Sequence, residues 1–302
     1  MLDKNSPIPL HAQLYEVLKQ QIDDGEYYGF ELDGDHLYLL EDFTVCHNSS
    51  FAFELCYQCV LQGHKVGLIM LEDPLQKTQQ RISARYLKVN PREYFINPRG
   101  CGKSEEALKE AWNFSINPDN FIVLKHFGSI PTKVLMSKIK SLTASGCEII
   151  LLDHANMCVS GLNTDDERKD LDILYTELAA FRAAHPIHMI VVAHVDKKSG
   201  VQELTRPTEP KWNYINMYSL RGTAGMTQLS CNIILLHNEL LPSGKRGRVM
   251  LGIPKNRSIG VLGDLDIVCT DYKSGMFIDS SNWVYDKESG YMVPPEKLNM
   301  CY

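Results

Sequence analysis

No stretch of the 302 residues stays apolar long enough to span a bilayer, and the first residues lack the apolar block of a secretory signal. An excess of positive charge is missing too: 31 Lys and Arg stand against 37 Asp and Glu, a net −6. That excludes a global electrostatic pull toward nucleic acid, so any such binding must rest on local basic loops. The sequence has no internal repeat and no low-complexity tract. Its nine cysteines are odd in number and scattered, which fits a reducing cytosol rather than a disulfide framework. Cys56 and Cys59 form a C-x-x-C, but on a predicted helix with no second pair. Buried small residues are expected there, not a zinc or redox site.

What is present is an alternation of helical and strand periodicity in a chain long enough for one large core and a small extra unit. Residues 10–23 read as a helix and 26–46 as β-rich. From Ser49 a helix leads through Gly63 to a strand over 66–71, then a helix near 77–88. Residues 90–120 read as loops around one helix. Strands at 121–124, 148–154 and 187–194 alternate with helices at 132–143 and 166–184. Apolar strands separated by helices predict a parallel sheet covered on both faces. A long polar loop is expected over 195–220, and strands at "CNIILLH", "GRVMLGIP" and "LDIVCTDY" close the domain.

Four features fall where such a sheet places ligands, at strand carboxyl ends. Glu72 follows "VGLIML", Asp153 ends "EIILLD", His194 ends "MIVVAH", and "IPKNRSIG" carries Lys255 and Arg257. A carboxylate ending a buried strand suits Mg²⁺ held through water, and a second on the neighbouring strand could orient an attacking water. Each residue alone is a weak signal: Asp153 reads better as a helix cap or turn residue, His194 as a satisfied polar residue, and the others equally as surface charges. Together, in this order, they favour nucleotide hydrolysis.

Residues 49–290, through "LIMLEDP", "IILLDHANMCVSG", "DERKDLDILYTELAAF", "IVVAHVDKK", "LRGTAGMTQLSCNIILL" and "IPKNRSIG", resemble the helicase half of the phage and mitochondrial replicative primase-helicases. The resemblance implies a RecA-like α/β core at 49–302, a hexameric ring in the cytoplasm of a bacterium or phage-infected host, single-stranded DNA as partner, and ATP or dTTP with Mg²⁺ as cofactors. It implies Glu72 as catalytic glutamate, Asp153 as Mg²⁺-holding aspartate, His194 and Gln228 as γ-phosphate sensors, Arg257 as arginine finger with Lys255 beside it. Lys197, Lys198 and Arg206 match the family's DNA-contacting loop.

The phosphate-binding G-x-x-x-x-G-K-[ST] loop that this chemistry needs, and the strand before it, do not precede Ser49. "NPRGCGKS" at 97–104 has Lys103 and Ser104, but no apolar strand leads into it and it follows the Glu72 strand. Ser49 itself stands where the loop's Mg²⁺-ligating hydroxyl belongs.

Instead, "YYGFELDGDHLYLLEDFTVCHN", residues 27–48, resembles the C-terminal blocks of an intein. In that chemistry the Asn48 side chain attacks its own carbonyl, His47 assists, His36 relays a proton, and Ser49 is the acceptor nucleophile. No intein N-terminal half is present, so the chain reads either as one half of a split intein, spliced in trans to a partner carrying the phosphate loop, or as a gene fragment or misassembled start. The expected domains are 1–48, a helix plus the small α+β intein segment, and 49–302. Residues 3–27 resemble only the first helix of GntR-type regulators, and no regulator function is expected.

Overall fold

The computed structural model describes residues 47–159, 166–194, 207–217, 224–257, 260–271 and 273–295. These belong to the compact unit Asp42–Tyr302. The expected elements at 10–23 and 26–46, and the side chains of His36, His47, Asn48, Lys197, Lys198 and Arg206, lie outside the described residues.

Helix α1 (His47–Leu61) begins two residues before the expected start at Ser49 and leads to β1 (Val66–Met70). Helices α2 (Leu75–Leu87), α3 (Pro91–Ile96) and α4 (Glu105–Ile116) follow, with a 3-10 turn at Pro98–Cys101. The stretch 90–120 thus holds two α-helices rather than one. Each has a local signal: the Asn90 carboxamide accepts from Arg92 N–H at 2.9 Å, and Ser104 Oγ accepts from Ala107 N–H at 3.2 Å. That places Lys103 and Ser104 in a helix-capping loop between α3 and α4, with no strand leading into it.

Strands β2 (Phe121–Val123), β3 (Ile149–Asp153) and β4 (His188–Val191) alternate with α5 (Thr132–Ala144) and α6 (Glu167–Ala184). They form a parallel sheet in the order β2-β1-β3-β4. Side chains alternate across it. Val66, Leu68, Met70, Ile149 and Leu151 pack with Phe53, Cys56 and Val60 of α1. Ile69, Leu71, Ile150 and Leu152 pack with Leu135 and Ile139 of α5 and Leu171, Leu174 and Leu178 of α6. Both faces are therefore covered, and β1 and β3 are buried along their whole length, as a parallel sheet requires. Cys56 is fully buried, with its thiol pushed well up by burial, in keeping with an apolar filler.

A second, antiparallel sheet contains β5 (Lys211–Asn213), β6 (Asn232–Leu240), β7 (Arg246–Asn256), β8 (Gly263–Thr270) and β9 (Phe277–Asp279), in that order. Strand β5 falls inside the expected 195–220 loop. Its three residues pair with the far end of β6, a tertiary contact that local periodicity does not register. Helix α7 (Ala224–Leu229) precedes β6, and a hairpin of β10 (Val284–Asp286) and β11 (Tyr291–Val293) follows β9. Among the described residues no helix is long and apolar enough to cross a membrane.

Candidate nucleotide site

The carboxyl ends of β1 and β3 are adjacent, with Met70 in register with Asp153. The residues that follow therefore meet at one rim of the parallel sheet. Ser49, near the start of α1, reaches the same rim: its Oγ donates to Asp153 Oδ1 at 2.9 Å, although 104 positions separate them. Both residues are buried. Burial pushes the Asp153 carboxyl up to about 6, with Glu72 adding to the rise, while the Ser49 hydroxyl, Arg81 and His154 oppose it.

Glu72 lies two residues past β1 and is more exposed. It pairs at 2.8 Å with Nε2 of His154, a ring that is itself buried. This bond, before all other influences, holds the Glu72 carboxyl below its ordinary range. The His154 ring stacks on His194, centroids 3.9 Å apart and planes tilted by 35°. Ligand atoms of Glu72, His154 and His194 lie within 4.8 Å of one another. Beside them Asp73 is clamped by Lys77 at 2.7 Å and Arg81 at 2.5 Å. Behind α1, the buried Glu54 and Arg85 pair at 2.9 Å and tie α1 to α2.

The structure thus gathers four of the expected residues, Ser49, Glu72, Asp153 and His194, at one rim. Gln228, Lys255 and Arg257 form a second group. The carbonyl of Gln228, at the end of α7, accepts from Arg257 at 2.7 Å and from Lys255 Nζ at 3.1 Å. Lys255 also donates to the Thr227 carbonyl. Burial and neighbouring Arg257 lower the Lys255 pKa. His154 was not among the residues singled out from the sequence. The only signal for it there is its place directly after Asp153, at the end of a buried strand.

The fold, a parallel sheet sandwiched between helices, is shared with solved structures. One of these, an isolated ATPase domain, matches with a TM-score of 0.60 and 15% identity, over 76% of this chain and 80% of that one. The fold is that of a DnaB-type, RecA-like ATPase domain. A DnaB-like replicative helicase, solved in a study of its interactions with primase, matches with the same TM-score and identity, over 76% of this chain and 55% of its own. In sequence, the chain is 29% identical over 181 residues to the DNA helicase/primase of Enterobacteria phage T3. The match takes in 59% of this chain, which spans 30% of the length of the phage protein. No family model matches the chain. The solved structures share the fold, and the phage protein shares sequence over little more than half of this chain.

Proposed function

We propose that the chain is part of an ATP-driven replicative DNA helicase. In this reading its nucleotide site is built from Ser49, Glu72, Asp153 and His194, and it lacks the lysine that grips the phosphates. The observation that carries this reading is the 2.9 Å bond between Ser49 Oγ and Asp153 Oδ1. It joins the hydroxyl at a helix start to the carboxylate at a buried strand end, two hard oxygen donors of the kind Mg²⁺ takes. A carboxyl pushed up to about 6 by burial is also one that a cation would return to its charged form. When bound, Mg²⁺ would neutralise charge on the nucleotide's phosphates. Glu72, kept ionised by His154, orients the attacking water. His194 senses the terminal phosphate from beside them. Arg257, with Lys255, reaches the site of the next subunit in a ring, the hexamer of the resemblance. Lys197, Lys198 and Arg206 hold single-stranded DNA.

The missing lysine arrives by splicing in trans. The Asn48 side-chain nitrogen bonds to its own carbonyl carbon, and the Asn48–Ser49 peptide bond breaks. The Ser49 amine leaves with a proton, assisted by His47 and His36. Before that step, the acyl group ending in the phosphate loop passes to the Ser49 hydroxyl; its ester or thioester bond to the first side chain of the intein N-terminal half breaks, and that side chain leaves with the hydroxyl proton. Once Asn48 has cyclised, the acyl group shifts from the Ser49 oxygen to the freed amine, forming the peptide bond and restoring the hydroxyl. Mass spectrometry of the chain mixed with a polypeptide carrying that loop and an intein N-terminal half tests this. A ligated species lacking residues 1–48 is expected. Absence of any species beginning at or joined to Ser49 would overturn the splicing step. If the unspliced chain binds single-stranded DNA tightly without turning over nucleotide, it acts instead as a non-catalytic ring subunit.

A further inference from the structure

Of the strand edges that have no strand beside them among the described residues, two border the same cleft. Strand β4 pairs with β3 alone. His188 and Val192 send their N–H groups to Glu148 and Leu152 on the β3 side, at 2.8 and 2.9 Å. By alternation the amides of Met189 and Val191 point the other way. Strand β6 pairs with β7 along its length, but β5 covers only its far end, residues 238–240. The stretch 232–236 is left with one open edge.

These two edges line opposite sides of one cleft of 540 Å³. Phe51, Ala52 and Leu55 of α1 cover it on one face, and Tyr175 and Leu178 of α6 on the other. Four walls of this kind, two backbone edges and two helices, are what surrounds an interior strand of a covered sheet. The burial agrees. β1 and β3 are fully buried, whereas β4 has an equally apolar sequence and is only half-buried. On β6, Ile234 is 45% exposed although it lies within an apolar run. Unsatisfied edges flanked by partly exposed apolar side chains recruit another strand.

We infer that this cleft is an acceptor site for one apolar β-strand of about five residues supplied by a separate polypeptide. The strand's direction follows from α1. Ser49 sits beside Asp153, the carboxyl end of β3. A strand that delivers its own carboxyl end toward α1 therefore runs parallel to β3 and β4. Resting on the proposed function, that carboxyl end continues into a Gly-x-x-x-x-Gly-Lys loop. Docking then aligns the incoming segment with Ser49 before any bond is made.

The test uses the full chain and a fluorescent peptide of six Val and Ile residues followed by Gly-Ser-Thr-Gly-Val-Gly-Lys. Saturable binding is expected by anisotropy, with slowed amide exchange at Met189 and Val191 and within 232–236. N-methylation of alternate peptide amides abolishes it, because the edge bonds are lost. Ile234→Lys weakens it about tenfold or more, the cost of an unburied aliphatic side chain. A second peptide with the Gly-Lys loop replaced by a Ser-rich tail separates the two ideas. The cleft predicts binding of both peptides, and the nucleotide reading predicts ATP turnover only with the first. Binding of both without turnover upholds the cleft and sinks that reading. No binding, binding indifferent to N-methylation, or edges already protected in the free chain by its own residues or a second copy, overturns the cleft.

Discussion

His154 Nε2 and Glu72 Oε1 lie 2.8 Å apart, and the same imidazole is stacked on His194. A buried ring thus fixes an exposed carboxylate at the sheet rim and keeps it ionised. Removing the ring, as in His154→Ala, lets the Glu72 pKa rise toward the ordinary carboxylate value. A ¹³C NMR titration of the Glu72 carboxyl in the two proteins checks this. On the proposed reading, Glu72→Gln lowers kcat by about 10²–10⁴ in a protein that carries the phosphate loop before Ser49. His154→Ala lowers it less and moves the acid limb of the pH profile upward. An unmoved acid limb would rule out the positioning role.

Asp153 makes stability depend on pH in the direction opposite to most carboxylates. Its folded pKa, about 6, lies above the ordinary 3.8. The folded state therefore holds a proton that the unfolded chain releases, and stability from this group is lost as pH rises from about 4 through 6. The loss is on the order of 3 kcal/mol. Urea unfolding at pH 4.5 and 7.5 should show Asp153→Asn stabilised relative to the parent at the higher pH. The two proteins should converge at the lower one. Parallel curves at both values would contradict the assignment.

Glu54 and Arg85 are both buried, and Arg85 also lies over the Phe53 ring at 4.8 Å. Glu54→Ala leaves a buried guanidinium without its anion and should cost about 3–5 kcal/mol. Replacing the pair together with Leu and Met should cost markedly less. Chemical denaturation of the two variants and the parent closes the comparison.

Arg257 reaches the Gln228 carbonyl from the end of β7. That exposed bond contributes about 1 kcal/mol at most to folding. Arg257→Ala should accordingly leave the unfolding midpoint nearly unchanged while, if Arg257 is the arginine finger of the proposed reading, lowering kcat by about 10³–10⁵. Equal turnover by parent and variant would remove Arg257 from the site.

The parallel sheet was legible because its strands are short apolar runs between amphipathic helices. Val66–Met70 and Ile149–Asp153 are buried at every position, so their composition alone marks them as interior. The same reasoning misjudges the setting of His188–Val191, whose apolar sequence suits an interior strand but which is only half-buried and, among the described residues, has a strand on one side only. Lys211–Asn213 and the three-residue strands after Thr270 escaped notice. Three residues carry too little periodicity, and their pairing is fixed by partners distant in sequence. At the site, Glu72 and Asp153 stood out as charges ending apolar strands. His154 did not, because its role comes from a contact across 82 positions to Glu72.

The most direct test is ATP turnover, stimulated by single-stranded DNA, for two proteins. One is the purified chain. The other is residues 49–302 with an apolar strand and a Gly-x-x-x-x-Gly-Lys loop fused directly before Ser49. The prediction is no turnover from the first and Glu72-dependent turnover from the second. Turnover by the unfused chain that vanishes in Lys103→Ala, or none from the fused protein, would contradict a nucleotide site that is complete except for its phosphate-gripping loop.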